Sequence, residues 1–293
     1  MEDVRGYGTR FALSALLVFA SCTRGDRIVV GAKNFTESDL LAEIVAQQIE
    51  RRTNLPVGRK LHLGGTFVCD RAIKAGDIDL YVEYTGTAYT AVLNHPPGPT
   101  ADSVFRAVAE EYRRWELEWL PPFGFNNTFA IAVRQADAQR YGLRTISDLA
   151  RVAPRWKAGF GYEFLNRSDG FPGLSTLYGI KFSAPPTAMD LGLTYRALAE
   201  GQVDVIAGNS TDGQLDALRL VTLEDDRRYF PPYEAAPVVR RVVLERHPEV
   251  GRALAELAGK IDDAEMRRLN AEADIAHRDI RAIATDWLVR TLP

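Results

Sequence analysis

The stretch Ala72–Tyr89, AIKAGDIDLYVEYTGTAY, decides the fold of this chain. Its pattern predicts the end of a helix, a stop at Gly76 and a short strand over Ile78–Val82. The polar and aromatic turn Glu83–Thr87 then leads into another helix. Free backbone N–H groups and the helix dipole make the tip of a strand that feeds a helix a common ligand site in α/β proteins. This turn is therefore the first candidate for a binding site.

The same pattern returns once, at Ala197–Asp212, ALAEGQVDVIAGNSTD. The two copies align with a constant offset of 125 residues, which pairs Ala72 with Ala197, Gly76 with Gly201, Asp79 with Asp204 and Tyr84 with Asn209. Two similar units at this separation predict two similar half-structures that face each other across a ligand cleft. A glycine followed by a short Ile/Val-Asp-Leu/Val strand is also a common helix-to-strand junction. The alternative is therefore that the two copies are unrelated examples of this junction.

The overall composition is that of an ordinary globular protein. The chain has 293 residues, of which 46% are apolar and 26% charged, and this length suffices for two α/β domains. The formal net charge of −3 argues against a nucleic-acid partner, which would require a basic surface. Only two cysteines are present, so no disulfide framework is expected.

The N-terminus has the pattern of a secretory signal. Two arginines precede the short apolar run Phe11–Ala20, which is too short for a permanent membrane span. The next residues complete FASC, Phe19–Cys22, which resembles the lipobox of bacterial lipoproteins, although leucine is more usual than Phe19. We therefore predict that residues 1–21 are a signal peptide and that acyl chains on Cys22 anchor the protein to a membrane. The alternative is a plain secretory signal with an incidental cysteine.

Strand and helix patterns alternate along the rest of the chain. We predict strands at Arg27–Gly31, Leu61–Leu63, Phe129–Val133, Ala158–Gly161 and Leu220–Leu223, and helices at Asp39–Arg52, Phe67–Lys74, Ser103–Leu117 and Tyr195–Glu200. After a strand near Val238, three amphipathic helices, Val250–Lys260, Asp263–Ala273 and Ile275–Arg290, are expected to pack on the first lobe.

This order predicts a division into two lobes. Residues 22–125 form the first part of lobe 1, residues 126–230 form lobe 2, and residues 231–293 return to lobe 1. The chain then crosses between the lobes twice, near 125 and near 230, and two crossings favour a hinge.

Motifs of catalysis and of cofactor binding are absent from the sequence. It contains no phosphate-binding loop, no zinc-protease motif, no nucleophile elbow and no Cys-x-x-Cys, so no metal or cofactor is expected. Glu83 and Asp212, at the two repeated strand tips, are candidates for an acid–base pair in a hydrolase. The alternative is that each carboxylate caps a helix or orients its neighbours.

Several segments together resemble one family. AKNFTES, LGGT, GDIDLYVEYTGTA, NNTFAIAVR, EFLNRSDG, STDG, LEDDRRYFPPY and AAPVVR resemble the substrate-binding proteins of ABC importers for osmoprotectants such as glycine betaine, choline and carnitine. The resemblance extends over about residues 27–293. It implies an α/β, two-lobed type II periplasmic-binding-protein fold, with a hinge and an interlobe cleft that closes on the ligand.

The resemblance also implies the ligand-binding residues. In that family a cage of aromatic rings holds the ligand with help from a lysine, a threonine and an arginine. The matching positions here are Lys33, Tyr84, Thr87, Phe129, Arg167 and Tyr233. Asn209 is the main departure, because a tyrosine often stands there, so three rings and one amide are expected to surround the ligand.

The chemistry of quaternary ammonium groups suits these residue types. A trimethylammonium group has no N–H to donate, so aromatic faces must attract it through cation–π interactions. A carboxylate at the other end of a betaine would suit the planar guanidinium of Arg167.

The sequence therefore predicts a lipid-anchored binding protein, periplasmic or at the cell surface. It would deliver a quaternary ammonium osmoprotectant to an ABC permease and its ATPase, by closure and not by catalysis. Two alternatives stay open. The same fold would bind a different small polar or cationic solute, which Asn209 permits, or the protein would be a cell-surface hydrolase that uses Glu83 and Asp212.

Overall fold

The computed structural model describes residues 27–96 and 100–292. The predicted signal segment and its Cys22 lie outside these residues. Within the described part, no helix combines the length and the apolar character needed to cross a bilayer.

The described residues form ten strands in two sheets of five. The strands are β1 (Ile28–Gly31), β2 (Val57–Lys60), β3 (Leu80–Tyr84), β4 (Leu117–Trp119), β5 (Phe129–Arg134), β6 (Ala158–Gly161), β7 (Thr187–Met189), β8 (Val205–Asn209), β9 (Leu220–Thr222) and β10 (Ala235–Arg240).

Helices cover both sheets. They are α1 (Thr36–Arg52), α2 (Thr66–Ala75), α3 (Thr85–Thr87), α4 (Ala101–Tyr112), α5 (Gln135–Tyr141), α6 (Ile146–Val152), α7 (Tyr162–Asn166), α8 (Phe171–Tyr178), α9 (Leu191–Ala199), α10 (Gln214–Ala217), α11 (Arg241–Arg246), α12 (Pro248–Ala255), α13 (Asp263–Asp274) and α14 (Ile280–Thr291). A π-helical turn, Ala88–Val92, continues α3, and 3₁₀ turns follow α4 and α6.

The two sheets have the same topology. The first has the order β2-β1-β3-β10-β4 and the second the order β7-β6-β8-β5-β9. In each, three parallel strands are followed by a strand that pairs antiparallel with both of its neighbours. The central strands β3 and β8 are the strands of the sequence repeat. The prediction of two similar halves is therefore confirmed.

The aspartates of the repeat make equivalent contacts in the two sheets. Asp79 accepts a backbone N–H from the neighbouring parallel strand at 2.9 Å and pairs with Arg240 at 3.3 Å. Asp204 accepts the corresponding backbone N–H at 2.9 Å and pairs with Arg134 at 2.9 Å. Each aspartate therefore ties the central strand of its sheet to the two strands beside it.

One predicted strand is wrong. The second strand is Val57–Lys60, and the predicted segment Leu61–Leu63 lies in the loop that follows it. The strand is an edge strand, and its Arg59 forms ion pairs with Glu43 and Glu50 of α1. Polar residues on this edge strand interrupt the apolar pattern that predicts a strand. In Leu61–Leu63, by contrast, two leucines alternate with a polar residue, which is the pattern typical of a strand.

The three C-terminal helices pack on α1 in the first lobe, as predicted. Val250, Leu269 and Trp287, from α12, α13 and α14, share one hydrophobic core with Leu40 and Ile44 of α1. A separate core fills the second lobe.

Two short segments connect the lobes and lie side by side. The N–H of Asn127 donates to the carbonyl of Tyr233 at 3.0 Å, and the N–H of Tyr233 donates to Oδ1 of Asn126 at 2.6 Å. Both connecting segments therefore lie beside the space between the two sheets, which is the candidate region for a binding site.

Candidate ligand-binding cavity

A cavity of about 450 Å³ lies between the two lobes. Its walls come from the N-terminus of α1, the tips of β3 and β8, the connecting segments, α7, α9 and α13. All seven residues predicted to bind the ligand line it: Lys33, Tyr84, Thr87, Phe129, Arg167, Asn209 and Tyr233. The structure therefore brings the predicted set together around one space.

Three aromatic rings of the predicted cage are held firmly. Phe129 and Tyr233 meet edge to face, with ring centroids 5.8 Å apart. The hydroxyl of Tyr84 donates to Glu37 at 2.6 Å, and the hydroxyl of Tyr233 donates to Asp169 at 2.6 Å. Burial raises the pKa of both phenols well above its usual value, so the rings stay neutral. Both tyrosines thus present uncharged rings fixed by their hydroxyls.

Glu37 is the centre of a buried network that sequence analysis missed. Its carboxylate accepts hydrogen bonds from Tyr84 (2.6 Å), Asn127 (2.8 Å), Thr211 (2.5 Å) and Asn270 (2.7 Å). These donors come from β3, a connecting segment, the second lobe and α13. Burial raises the pKa of Glu37, whereas the four hydrogen bonds favour the ionised form.

Lys33 is already paired inside the protein. Its Nζ lies 2.5 Å from Oε1 of Glu83 and 3.0 Å from Oγ1 of Thr66, and the lysine and glutamate side chains are 3% and 0% exposed. Glu83 does not line the cavity, whereas Asp212 does. The two carboxylates considered as an acid–base pair are therefore not arranged around one reacting group.

Arg167 also has partners of its own. Its guanidinium donates to Asp169 through Nε (2.9 Å) and Nη2 (2.5 Å), to Thr87 (3.0 Å), and to Glu163 (3.3 Å). The same group lies 5.1 Å from the centroid of Phe129. Four of its five N–H groups are therefore engaged by the protein.

A contact between the lobes closes one side of the cavity. Glu163 on α7 accepts hydrogen bonds from the backbone N–H of Thr66 and from its Oγ1, the latter at 2.9 Å. Thr66 begins α2 in the first lobe. A Cβ at the preceding residue, Gly65, would overlap the Glu163 carboxylate. A side chain at this position would therefore displace the Glu163 carboxylate from its contact with Thr66.

A further aromatic ring, which sequence analysis missed, lines the same cavity near Asn209. Tyr195 of α9 lines the cavity and donates its hydroxyl to Oδ2 of Asp212 at 2.5 Å. Asn209 donates its backbone N–H to the same oxygen at 2.8 Å. Burial raises the pKa of Asp212 to about 7. The family motifs guided the prediction of the site, and Tyr195 lies in none of them.

The fold and the cavity define the class: a two-lobed solute-binding protein with an aromatic interlobe site. Residues 26–290 match the substrate binding domain of the ABC-type glycine betaine transport system, and the chain belongs to this family.

Named relatives and a solved structure agree with this assignment. The chain is 36% identical over 282 residues to a glycine-betaine-binding protein of Pseudomonas aeruginosa, covering 93% of this chain and 90% of the relative. It is 33% identical over 265 residues to an ergothioneine transport permease/ergothioneine binding protein of Helicobacter pylori, covering 90% of this chain. It spans 47% of that relative, about half its length.

The crystal structure of a glycine betaine/carnitine/choline ABC transporter protein is similar to this chain, with a TM-score of 0.74 and 31% identity. The match covers 90% of this chain and 98% of that one. The predicted family and the predicted two-lobed fold are therefore confirmed.

Proposed function

We propose that this protein captures a quaternary ammonium compound of the glycine betaine, choline or carnitine type in its interlobe cavity and delivers it to the permease and ATPase of an ABC importer. The convergence of Tyr84, Phe129 and Tyr233 on one cavity supports the proposal most directly. Each ring contributes on the order of 2 kcal/mol to binding of a desolvated cation.

The charges around the cavity favour a cationic group. Six carboxylates line it, from Glu37, Asp39, Glu163, Asp190, Asp212 and Asp274. The lysine and the arginine that line it, Lys33 and Arg167, are both neutralised by ion pairs within the protein. A cation that enters the cavity therefore meets an excess of negative charge and no unpaired lysine or arginine of the described chain.

The seven predicted residues then divide by role. Tyr84, Phe129 and Tyr233 contact the trimethylammonium group, and Asn209 borders it where a fourth ring is absent. Lys33, Thr87 and Arg167 position the walls, because their polar atoms already bond to the protein. The remaining N–H of Arg167 is the group available to a ligand carboxylate.

The mechanism is closure on the ligand, without a chemical step. The ion pair of Glu83 with Lys33 outside the cavity argues against a shared acid–base role with Asp212, as in the hydrolase alternative. We also propose that residues 22–125 and 231–293 form lobe 1, that residues 126–230 form lobe 2, and that the two connecting segments act as the hinge. The protein would be extracytoplasmic and anchored to a membrane through acylated Cys22.

A second candidate is a larger or different solute. Asn209 leaves one side of the cage open, and the related Helicobacter pylori protein is named for ergothioneine, which also carries a trimethylammonium group. In this candidate the aromatic cage still binds a trimethylammonium group, and the rest of the ligand differs from that of glycine betaine, choline or carnitine.

A thermal-shift screen tests the proposal. The panel contains glycine betaine, choline, carnitine, ergothioneine, amino acids and sugars, with the neutral isostere of choline in which a tert-butyl group replaces trimethylammonium. We expect the melting temperature to rise with at least one trimethylammonium compound, because a ligand of the folded state stabilises it. The isostere should have little effect. Stabilisation by sugars or amino acids alone, or equal stabilisation by choline and its isostere, would overturn the proposal.

A further inference from the structure

Exposed apolar side chains concentrate in one segment of the first lobe. Leu61, Phe67 and Val68 are 38%, 45% and 38% exposed, and all three lie between positions 61 and 68. Phe67 and Val68 stand in the first turn of α2, where polar and acidic side chains stabilise a helix, and this turn contains no acidic residue. Neither burial nor helix stability therefore accounts for this apolar surface, which is the kind that marks contact with a partner.

The loop that carries Leu61 is held in one conformation. The backbone N–H of His62 donates to Oδ1 of Asp39 at 2.9 Å, and the N–H of Leu63 donates to the carbonyl of Ala32 at 3.0 Å. His62 has a φ of 55°, which is uncommon for a residue with a Cβ and persists only where the surroundings fix the backbone. The apolar surface is therefore preformed, and a partner that binds it orders little of the chain.

A groove of about 340 Å³ lies beside these side chains. It is bounded by α2, the end of β2 with the loop that follows, and the segment before β3. Its lining includes the apolar residues Leu63, Val68 and Ile78 and the charged residues Lys60, Arg71 and Asp77. At about 30 Å³ per water molecule, the groove has room for roughly 11 small heavy atoms, enough for one large apolar side chain.

The charge at the groove is positive on balance. Lys60 and Arg71 are exposed, and Nζ of Lys60 donates to the backbone carbonyl of Asp77 at 3.0 Å. The groove therefore suits an apolar side chain that has a carboxylate beside it. The groove and the exposed side chains of Leu61, Phe67 and Val68 are called the α2 surface below.

The α2 surface continues to the contact between the lobes. Phe67 follows Thr66, which donates two hydrogen bonds to the Glu163 carboxylate of the second lobe. Tyr162, the residue before Glu163, is 57% exposed and adds an aromatic side chain from that lobe. Because Thr66 and Glu163 belong to different lobes, Phe67 and Tyr162 flank one contact only while the lobes are closed. A partner that touches both residues therefore distinguishes the closed protein from the open one.

We propose that the α2 surface docks on the ABC permease, and that an extracytoplasmic segment of the permease places an apolar side chain in the groove and a carboxylate beside Lys60 or Arg71. The inference rests on the proposed function, which requires such a partner. Specific interfaces bury about 800 Å² per partner and concentrate binding in a few central anchors. The groove is one such anchor, with Tyr162 at the edge of the same interface.

Two other partners fit the α2 surface less well. A symmetric contact between two copies of this chain places the same surface on both sides, so Lys60 and Arg71 would face like charges. An anionic bilayer attracts two basic residues only weakly, and a flat surface does not fill a groove.

Uptake by cells and binding in solution test the inference together. In cells that carry a variant in place of the native protein, Phe67→Ser and Arg71→Glu should each lower uptake of the trimethylammonium compound with the largest thermal shift, by roughly tenfold or more. Neither residue lines the ligand cavity, so calorimetry on the purified variants should give the native affinity. Two controls should change neither measurement. They are Val289→Ser, at a residue 62% exposed on α14, and Arg155→Glu, at an exposed arginine of the second lobe.

The outcomes separate the inference from the proposed function. Native uptake by both variants would overturn the inference and leave the proposed function intact, whereas failure of every trimethylammonium compound to bind would overturn both. Because Arg71 is exposed, Arg71→Glu keeps the test decisive if Phe67→Ser does not fold.

Photo-cross-linking in cells identifies the partner. Benzoylphenylalanine in place of Phe67 should form a product that mass spectrometry identifies as the permease, with a higher yield when the ligand is present. A second copy of this chain or lipid as the cross-linked partner, or no permease product, would overturn the inference.

Discussion

Arg167 and Asp169 form a two-point ion pair in the wall of the cavity. Nε lies 2.9 Å from Oδ1 and Nη2 lies 2.5 Å from Oδ2, with the two side chains 5% and 0% exposed. The same carboxylate accepts the hydroxyl of the cage residue Tyr233 at 2.6 Å. The arginine therefore holds an aromatic wall through Asp169, in addition to any contact of its own with a ligand.

Removal of Arg167 should affect the whole protein. We expect Arg167→Ala to lower the free energy of unfolding by roughly 3–5 kcal/mol, because Asp169 is left buried without its partner. Binding of choline should weaken together with that of glycine betaine, because Tyr233 loses its support. Denaturant unfolding and calorimetry measure both effects. The control Arg196→Ala, whose ion pair is exposed, should cost little stability. A stable Arg167→Ala protein that loses glycine betaine alone would show a direct role in carboxylate binding.

The cage rings should account for much of the binding free energy. Tyr84→Ala and Tyr233→Ala should each weaken binding of a trimethylammonium ligand by roughly 1–3 kcal/mol, or about 5- to 150-fold. Tyr84→Phe keeps the ring and loses only the hydrogen bond to Glu37, so its affinity should lie near that of the native protein. Tyr141→Ala, which removes a ring outside the cavity, is the control. Unchanged affinity in both alanine variants would place the cation elsewhere.

Local patterns were sufficient for the parts of the fold that repeat. The glycine stop at Gly76 is a helix C-cap with φ of 80°, and Gly201 at the paired position has φ of 73°. The paired residues Tyr84 and Asn209 both end central strands and both line the cavity. Such features depend on a few consecutive residues, which is why the sequence predicts them.

The parts that sequence analysis missed depend on contacts between distant segments. Asn270 reaches the cavity because α13 packs on α1, and Glu37 finds its four donors on four separate segments. Tyr195 belongs to an ordinary amphipathic helix in its local pattern. Family motifs identified Lys33 and Arg167, yet they carry no information about the buried carboxylates that neutralise them.

We expect closure of the lobes on a ligand to depend on the contact between Glu163 and Thr66. Small-angle scattering should show a smaller radius of gyration with saturating ligand than without it. Gly65→Ala places a Cβ against the Glu163 carboxylate and should break its hydrogen bonds to Thr66, with weaker binding and less compaction on ligand addition. Gly251→Ala is a matched control outside the cavity, because a Cβ there meets only the end of the Leu244 side chain, at 3.3 Å. Full compaction of Gly65→Ala on ligand addition would contradict this role of the contact.

The anchoring prediction concerns Cys22 alone. The mature protein should begin at this residue, carry acyl chains and fractionate with membranes. Cys22→Ala should leave the protein unprocessed or release it, whereas Cys69→Ala, a change at a buried cysteine, should not alter fractionation. Intact-mass analysis of the native protein gives the N-terminus directly, and an unacylated N-terminus at another residue would end the lipoprotein interpretation.

The raised pKa of Asp212 should make the free energy of unfolding decrease as the pH rises. Burial raises its pKa from 3.8 to about 7 in the folded protein, while the unfolded chain keeps the lower value. Between these values the folded state holds a proton that the unfolded state has lost, so this contribution to stability is complete below pH 4. It decreases as the pH rises to about 7 and is then constant, with a total change on the order of 4 kcal/mol at most.

The comparison with Asp212→Asn isolates this contribution from other buried carboxylates such as Glu37, whose pKa is also raised by burial. The native protein should lose stability relative to the variant between pH 4 and pH 7, in unfolding curves measured at each pH. Parallel pH dependences of the unfolding free energy in the native protein and in the variant would contradict this role of Asp212.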